Sequence, residues 1–98
     1  MRYDFEWDPK KAKANIRKHK VTFERASTIF RDPNLLSIPD VEHSEFEERW
    51  VTIGLDENGI ILVISHKFKS LEVEASRIRI ISARKATKVE TEQYEKGI

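Results

Sequence analysis

A strand–turn–strand pattern in the middle of the chain most limits the folds available to it. Arg49 to Leu55 alternates side chains between two faces, and Ile60 to Ser65 follows as a continuous apolar run. Between them lies Asp56-Glu57-Asn58-Gly59, in which Asn and Gly accept the positive φ angles of a tight turn. The pattern predicts a β-hairpin and therefore an antiparallel pair of strands.

Three more segments have the composition and alternation of strands. They cover Tyr3 to Trp7, Leu35 to Ile38 and about Val73 to Ser82. Pro39 ends the second of these, and a proline confines such a strand to a sheet edge or to its own end. In the third, strand alternation places Arg77 and Arg79 on one face, opposite Ile78 and Ile80.

Capping signals mark three helices. Asp8-Pro9 supplies an N-cap and a proline at the first helical position, which predicts a helix of about ten residues ending near His19. Thr22 is the predicted cap of a second helix, which Asp32-Pro33-Asn34 ends. Its apolar stripe is formed by Phe23, Ala26, Ile29 and Phe30. Thr87-Lys88-Val89-Glu90 is a capping box and predicts a last helix.

The order of these elements separates the helices from most of the strands. Such segregation is typical of an α+β fold, so we expect an antiparallel sheet with helices mainly on one face. A chain of 98 residues suits a single domain, residues 1–98. With 39% hydrophobic and 36% charged residues, it should form a thin structure with a charged surface. The acidic stretch Asp40 to Glu48 is predicted as a loop or a strand extension.

Composition excludes several classes of chemistry. The chain has no cysteine, which excludes disulfides, thiolate zinc sites and cysteine nucleophiles. Its histidines, His19, His43 and His66, lack the local spacing of metal ligands, and its three glycines form no nucleotide-binding loop. We expect neither a metal nor a cofactor. The apolar runs are too short to span a bilayer and no signal peptide is evident, so we expect a cytoplasmic protein with no membrane contact.

The charges are segregated along the chain although the formal net charge is only +1. Lys10 to Lys20 holds six Lys or Arg residues and no acid, whereas Asp40 to Glu48 holds five acids and no Lys or Arg. A protein whose charges are segregated in this way has an electric dipole, and its basic side can attract phosphate groups. The basic stretch could equally be a solvated helix face.

Once these classes are excluded, the side chains left for catalysis are basic residues and carboxylates. A metal-free ribonuclease needs a base for the ribose 2′-OH proton, cations to stabilise charge on phosphorus, and an acid for the 5′-oxygen. The residues that could supply these parts from adjacent strands are Arg49, Arg77, Arg79, Arg84, Lys67, His66 and Glu48. Alternatively, Arg77 and Arg79 are salt-bridge partners of Glu47 and Glu48. Trp7 and Trp50 are more often core residues than platforms for base stacking.

Several blocks of sequence, spread over nearly the whole chain, together form a pattern that is more specific than any one of them. The blocks are Phe5-Glu6-Trp7-Asp8-Pro9-Lys10-Lys11-Ala12, Asn15, Lys18-His19, Val21-Thr22-Phe23-Glu24-Arg25-Ala26, His43-Ser44, Glu48-Arg49, Ile53-Gly54, Ile78-Arg79-Ile80-Ile81-Ser82-Ala83-Arg84-Lys85-Ala86, Glu90 and Tyr94. In content and order these blocks resemble the BrnT family of toxins from type II toxin–antitoxin modules.

The resemblance implies a RelE-like ribonuclease fold and cleavage of mRNA that halts translation. It also implies a BrnA-like antitoxin with a ribbon-helix-helix domain, through which the toxin would meet operator DNA indirectly. We expect Arg49, Arg79 and Arg84 to bind or stabilise the phosphate and His66 or Glu48 to handle protons. The residues expected to hold the RNA are Lys18, His19, Lys67 and Arg77. The alternatives are a non-catalytic subunit that binds an antitoxin or nucleic acid, and a purely structural dimerisation subunit.

Overall fold

The computed structural model describes residues 2–44 and 48–97 and contains five strands and three α-helices in those ranges. In chain order they are β1 (Arg2–Glu6), α1 (Pro9–His19), α2 (Phe23–Ser27), β2 (Leu36–Pro39), β3 (Arg49–Leu55), β4 (Ile61–Glu72), β5 (Ala75–Lys85) and α3 (Lys88–Lys96). Short 3₁₀ helices follow α2 at Thr28–Arg31 and β2 at Val41–His43. In these ranges no helix is both long enough and apolar enough to cross a membrane.

The five strands form one sheet in the order β1-β5-β4-β3-β2. Three of its neighbouring pairs are antiparallel, as expected, and the pair β1–β5 is parallel. The expectation of an α+β fold is therefore confirmed, and the expected antiparallel sheet is antiparallel except at the β1–β5 pair. Pro39 ends β2 at the edge of the sheet, where the missing proline N–H removes no ladder hydrogen bond.

The predicted hairpin of β3 and β4 is present, and Asp56 organises its turn. The Asp56 carboxylate accepts hydrogen bonds from the backbone N–H groups of Asn58 and Ile60, and Gly59 has a φ of 78°. Both long strands differ in extent from the sequence prediction. β4 continues to Glu72, and β5 runs from Ala75 to Lys85 because the two strands pair along most of that length.

The helix caps form as expected. Asp8 Oδ1 accepts the backbone N–H of Lys10 at 2.8 Å, and Thr22 Oγ1 accepts that of Arg25 at 3.1 Å. The second helix is shorter than predicted because α2 gives way to 3₁₀ geometry at Thr28. At the start of α3, Thr87 and Glu90 exchange both bonds of a capping box.

The main core lies between the sheet and the first two helices. Both α1 and α2 contact β5, which is a central strand of the sheet. The fully buried members of this core are Val21, Phe23, Ala26, Ile29, Leu62, Ile64, Ile78, Ile80 and Ala83. Asn15 is also buried, and its amide group binds the backbone carbonyls of Val21 and Ala83 and the Ala83 N–H. This core leaves the opposite face of the sheet available for polar side chains.

A β-bulge in β5 sets which side chains point to that opposite face. Ser82 pairs with Ser65 and Ile80 pairs with His66, so Ile81 is an additional residue in β5. Beyond the bulge, Arg84 is paired with Val63, which is on the same face of β4 as Lys67. The Arg84 side chain is therefore on the face that holds Lys67. Arg84 binds Glu90 of α3, which therefore attaches to the face opposite α1 and α2.

Candidate nucleic-acid interface

A row of charged side chains crosses four strands on the face opposite the main core. Arg49 of β3 lies opposite Lys67 of β4, Lys67 lies opposite Arg79 of β5, and Arg79 lies opposite Glu6 of β1. Directly opposed residues share a face, and neighbouring strands are roughly 5 Å apart. We call these four residues the charged row: three cations side by side, with a carboxylate at one end.

A second row next to the first adds two more cations. Lys69 lies opposite Arg77, two residues along each strand from the charged row. Lys67, Arg79 and Glu6 of the charged row line an open groove of about 430 Å³ together with this second row, and Glu48 and Phe68 also contribute. The groove therefore has the dimensions and the charge to receive a phosphodiester backbone.

Strand alternation explains how β5 carries two arginines without disturbing the core. Arg77 and Arg79 are exposed, whereas the residues between and beside them are buried: Ser76, Ile78 and Ile80. The buried set contributes to packing, and the exposed set is accessible to a ligand. The prediction that Arg77 and Arg79 share one face is confirmed.

Glu6 forms the ion pairs that we considered for Glu47 or Glu48. Glu6 Oε1 lies 3.5 Å from Arg79 Nη1, and Glu6 Oε2 lies 4.0 Å from Arg77 Nε. All three side chains are a little under half exposed. Glu47 lies outside the described residues, and Glu48 accepts a 3.4 Å hydrogen bond from Trp50 Nε1.

Arg49 has an unused donor beside the groove. Its Nε is buried and finds no hydrogen-bond acceptor in residues 2–44 and 48–97. A buried donor left unpaired is unfavourable by roughly 1 to 3 kcal/mol. Arg49 lies at the end of the charged row and lines a neighbouring pocket with Glu48 and Trp50, not the groove itself.

His66 does not fit its expected role as a proton-transfer group beside the cations. It is 3% exposed and lies on the core face, where its Nε2 and Thr52 Oγ1 are 2.7 Å apart. The Phe30 ring contacts the imidazole edge-on, with 5.1 Å between ring centroids. Burial lowers the pKa of His66 to about 4 despite a hydrogen bond with the Lys67 carbonyl, so the ring is neutral near pH 7. The sheet itself separates His66 from the groove.

Arg84 shares the face of the charged row but lies farther along it. Its strand partner Val63 is four residues from Lys67, roughly 13 Å along β4. The guanidinium binds both carboxylate oxygens of Glu90, and this pairing lowers the pKa of Glu90 to about 2 and raises that of Arg84. The expectation that Arg84 binds phosphate together with Arg79 does not fit this placement.

Lys18 and His19 are also outside the groove. They occupy the last turn of α1, and both are exposed. α1 is held on the core side of the sheet by the bonds between Asn15 and Ala83. Lys18 and His19 therefore lie on the other side of the sheet from the groove.

The two tryptophans lie on the core side. Trp7 packs against Phe23, with 5.9 Å between ring centroids, and belongs to the edge of the core. Trp50 lines an apolar pocket of about 290 Å³ together with Tyr3, Phe30 and Phe68. In the described parts of the chain, no group of three or more His, Asp or Glu side chains could hold a metal ion.

Sequence reasoning overlooked two charged residues of the groove, Glu6 and Lys69. Alternation in the first strand puts Glu6 on one face with Asp4, but the pairing of β1 with β5 joins segments about 70 residues apart and has no local signal. Lys69 was missed because the apolar run ends at Ser65, whereas β4 continues to Glu72.

The comparisons with known proteins agree with this picture. A family model described as the ribonuclease toxin BrnT of a type II toxin–antitoxin system matches residues 7–90. The crystal structure of the Brucella abortus ribonuclease toxin BrnT is similar in fold, with a TM-score of 0.59 and 24% identity. That similarity covers 90% of this chain and 100% of the Brucella chain. No curated protein sequence matches the chain significantly.

Proposed function

Since the chain belongs to the BrnT family of ribonuclease toxins of type II toxin–antitoxin systems, we propose that its charged row is the site that binds and cleaves RNA. One observation carries the proposal: the strand register sets Arg49, Lys67 and Arg79 side by side on three neighbouring strands. A phosphate above this row would meet several cations at once. Four of the expected site residues line the groove beside this row: Glu48, Lys67, Arg77 and Arg79.

The reaction that suits this groove is attack of the ribose 2′-oxygen on the adjacent phosphorus. Charge builds up on the non-bridging phosphate oxygens in the transition state, and preorganised cations stabilise that charge. Arg79 and Arg49 suit the role best because a guanidinium binds two oxygens of one phosphate in a planar fork. The products would be a 2′,3′-cyclic phosphate and a 5′-hydroxyl end.

The other groove residues then bind the RNA backbone. Arg77 and Lys69, in the second row, would hold a neighbouring phosphate, and Lys67 lies between the two arginines of the charged row. Of the two residues expected to handle protons, Glu48 lines the groove and His66 does not. Glu48 therefore keeps that expected role.

A type II toxin has an antitoxin as its partner. We propose that this partner is a BrnA-like protein with a ribbon-helix-helix domain and that an acidic segment of it covers the groove. Complementary charge would favour fast association and would exclude RNA from the same cations. The toxin would then reach operator DNA only through its antitoxin. In the cytoplasm, the free toxin would cleave mRNA and halt translation.

Cleavage of a labelled RNA by the purified protein tests the proposal. We expect cleavage in the presence of EDTA, products with a cyclic phosphate at the 3′ end, and inhibition by an excess of inorganic phosphate or of an acidic polymer. Binding without cleavage would support the non-catalytic subunit instead. Cleavage that EDTA abolishes would contradict the metal-independent chemistry.

A further inference from the structure

We propose that Glu6 is the general base of the cleavage reaction, the group that accepts the proton of the attacking 2′-hydroxyl. The inference deepens the proposed function and rests on it. Glu6 is the member of the charged row that carries a negative charge, and its carboxylate lies 3.5 Å from Arg79. A base at this position would stand next to the cation that receives the developing charge.

The fold holds Glu6 at a defined position. It is the last residue of β1, whose five residues are all in register with β5. The next residue, Trp7, packs on the core through Phe23. The backbone is therefore anchored on both sides of Glu6, as a catalytic group requires.

The other candidate groups for proton transfer are less well placed. His66 is buried on the opposite face. His43 is exposed and paired with Asp40 at 2.9 Å, and it does not line the groove. Among the described residues, the carboxylates that line the groove are Glu6 and Glu48. Glu6 adjoins Arg79, whereas Glu48 lies at the other side of the row, next to Arg49.

This arrangement fits the geometry of an in-line displacement. The 2′-oxygen enters on one side of the phosphorus and the 5′-oxygen leaves on the other, so the two proton transfers take place on opposite sides. With the phosphate above Lys67 and Arg79, Glu6 would lie on one side of the phosphorus, the entering side, and Glu48 on the other, the leaving side.

The proposed step balances in protons and bonds. The 2′-hydroxyl gives its proton to the Glu6 carboxylate, and the 2′-oxygen forms a bond to phosphorus. The bond from phosphorus to the 5′-oxygen breaks, and the leaving oxygen takes a proton from a water molecule on the side of Glu48. Protonated Glu6 returns its proton to the resulting hydroxide through the solvent.

The test compares Glu6→Gln with the matched variant Asp4→Asn in the full-length protein. Asp4 is on the same strand and face, is 43% exposed and pairs with Arg2, and it does not line the groove. We expect Glu6→Gln to lower kcat by roughly 10² to 10⁴, the usual contribution of a general base, with KM unchanged or lower. The variant should also lose the rise of kcat with pH on the acidic side. Asp4→Asn should cleave like the wild type.

A second variant separates chemistry from structure. Glu6→Asp keeps the carboxylate on a shorter side chain and should recover part of the activity that Glu6→Gln loses. If Glu6→Gln cleaves within twofold of the wild type, or binds RNA more tightly at unchanged kcat, Glu6 is only a counter-ion of the arginines and the assignment fails. If Arg79→Ala abolishes cleavage in that case, the groove remains the active site. If neither substitution affects cleavage, both proposals fail.

Discussion

Arg84 and Glu90 are joined by two parallel hydrogen bonds, 2.7 Å and 2.8 Å long, from the two terminal guanidinium nitrogens to the two carboxylate oxygens. Glu90 also belongs to the capping box that starts α3. The pair therefore connects the end of β5 to the first turn of α3. Its geometry indicates a structural role for Arg84.

Arg84→Gln should accordingly lower stability and leave RNA cleavage within a fewfold of the wild-type rate. The Arg84 side chain is 41% exposed, so solvent screening limits the expected loss to about 1 kcal/mol. Urea denaturation of Arg84→Gln, Glu90→Gln and the double variant would measure the coupling between the two residues. If cleavage instead falls 100-fold or more at unchanged stability, Arg84 acts in the active site and its role is not structural.

His66 should make stability depend on pH in a defined window. Its folded-state pKa is about 4 and its ordinary value is 6.5. Below pH 6.5 the unfolded chain binds a proton that the folded protein does not, so stability falls as the pH drops towards 4 and then levels off. The full effect is about 3 kcal/mol.

Replacing His66 with Gln removes the titrating group and should remove this slope, which urea denaturation at a series of pH values would show. The chain offers an internal comparison in His43, which is exposed and should tolerate the same substitution with little change. An identical slope in wild type and His66→Gln would mean that His66 is accessible to protons in the folded state.

Lys20 occupies a backbone conformation that glycine adopts more easily. It caps the C-terminus of α1 with φ 59° and ψ 29°, and its N–H binds the Ile16 carbonyl at 2.9 Å. Because Cβ disfavours the left-handed region, Lys20→Gly should raise the free energy of unfolding by about 0.5 to 1 kcal/mol. Lys13→Gly, in the interior of the same helix, should lower it by about 1 kcal/mol. Thermal melts of both variants would show whether the two substitutions change the stability in opposite directions.

Local signals predicted most of the secondary structure correctly because capping and turn formation depend on neighbouring residues. The Asp8 and Thr22 caps and the capping box at Thr87 all form. Pro39 correctly indicated an edge strand. The register of distant strands was not accessible in this way, and the parallel pairing of β1 with β5 is the clearest case.

The site could be predicted only in part for the same reason. Alternation along one strand correctly placed Arg77 and Arg79 on one face, but it does not say which face covers the core. In β3 the fully buried side chain is Thr52, which hydrogen-bonds with Ser37 and His66, whereas the apolar Leu55 is exposed. Polarity alone therefore suggested a catalytic role for a histidine that the fold buries.

Expression of the protein should arrest growth, and co-expression of its antitoxin should restore it. The physical reason is that an acidic partner and RNA compete for the same cations of the groove. Substituting Arg77 and Lys69 together with Ala should weaken both toxicity and antitoxin binding. Growth curves and pull-down of the complex measure the two effects. Unimpaired growth at verified soluble expression of the wild type would contradict toxicity.

The cleavage rate and melting temperature of Arg79→Ala, measured on one preparation, test the account most directly. Arg79 is exposed on β5 between buried residues, so its truncation opens no cavity in the core. If Arg79 stabilises charge on the phosphorus, cleavage should fall by roughly 10² to 10³ while melting changes little. Arg31→Ala, an exposed arginine outside the groove, should cleave normally. Near-normal cleavage by Arg79→Ala, with a loss of at most about 1 kcal/mol of stability, would show that Arg79 is only a surface ion-pair partner of Glu6 and would contradict the account.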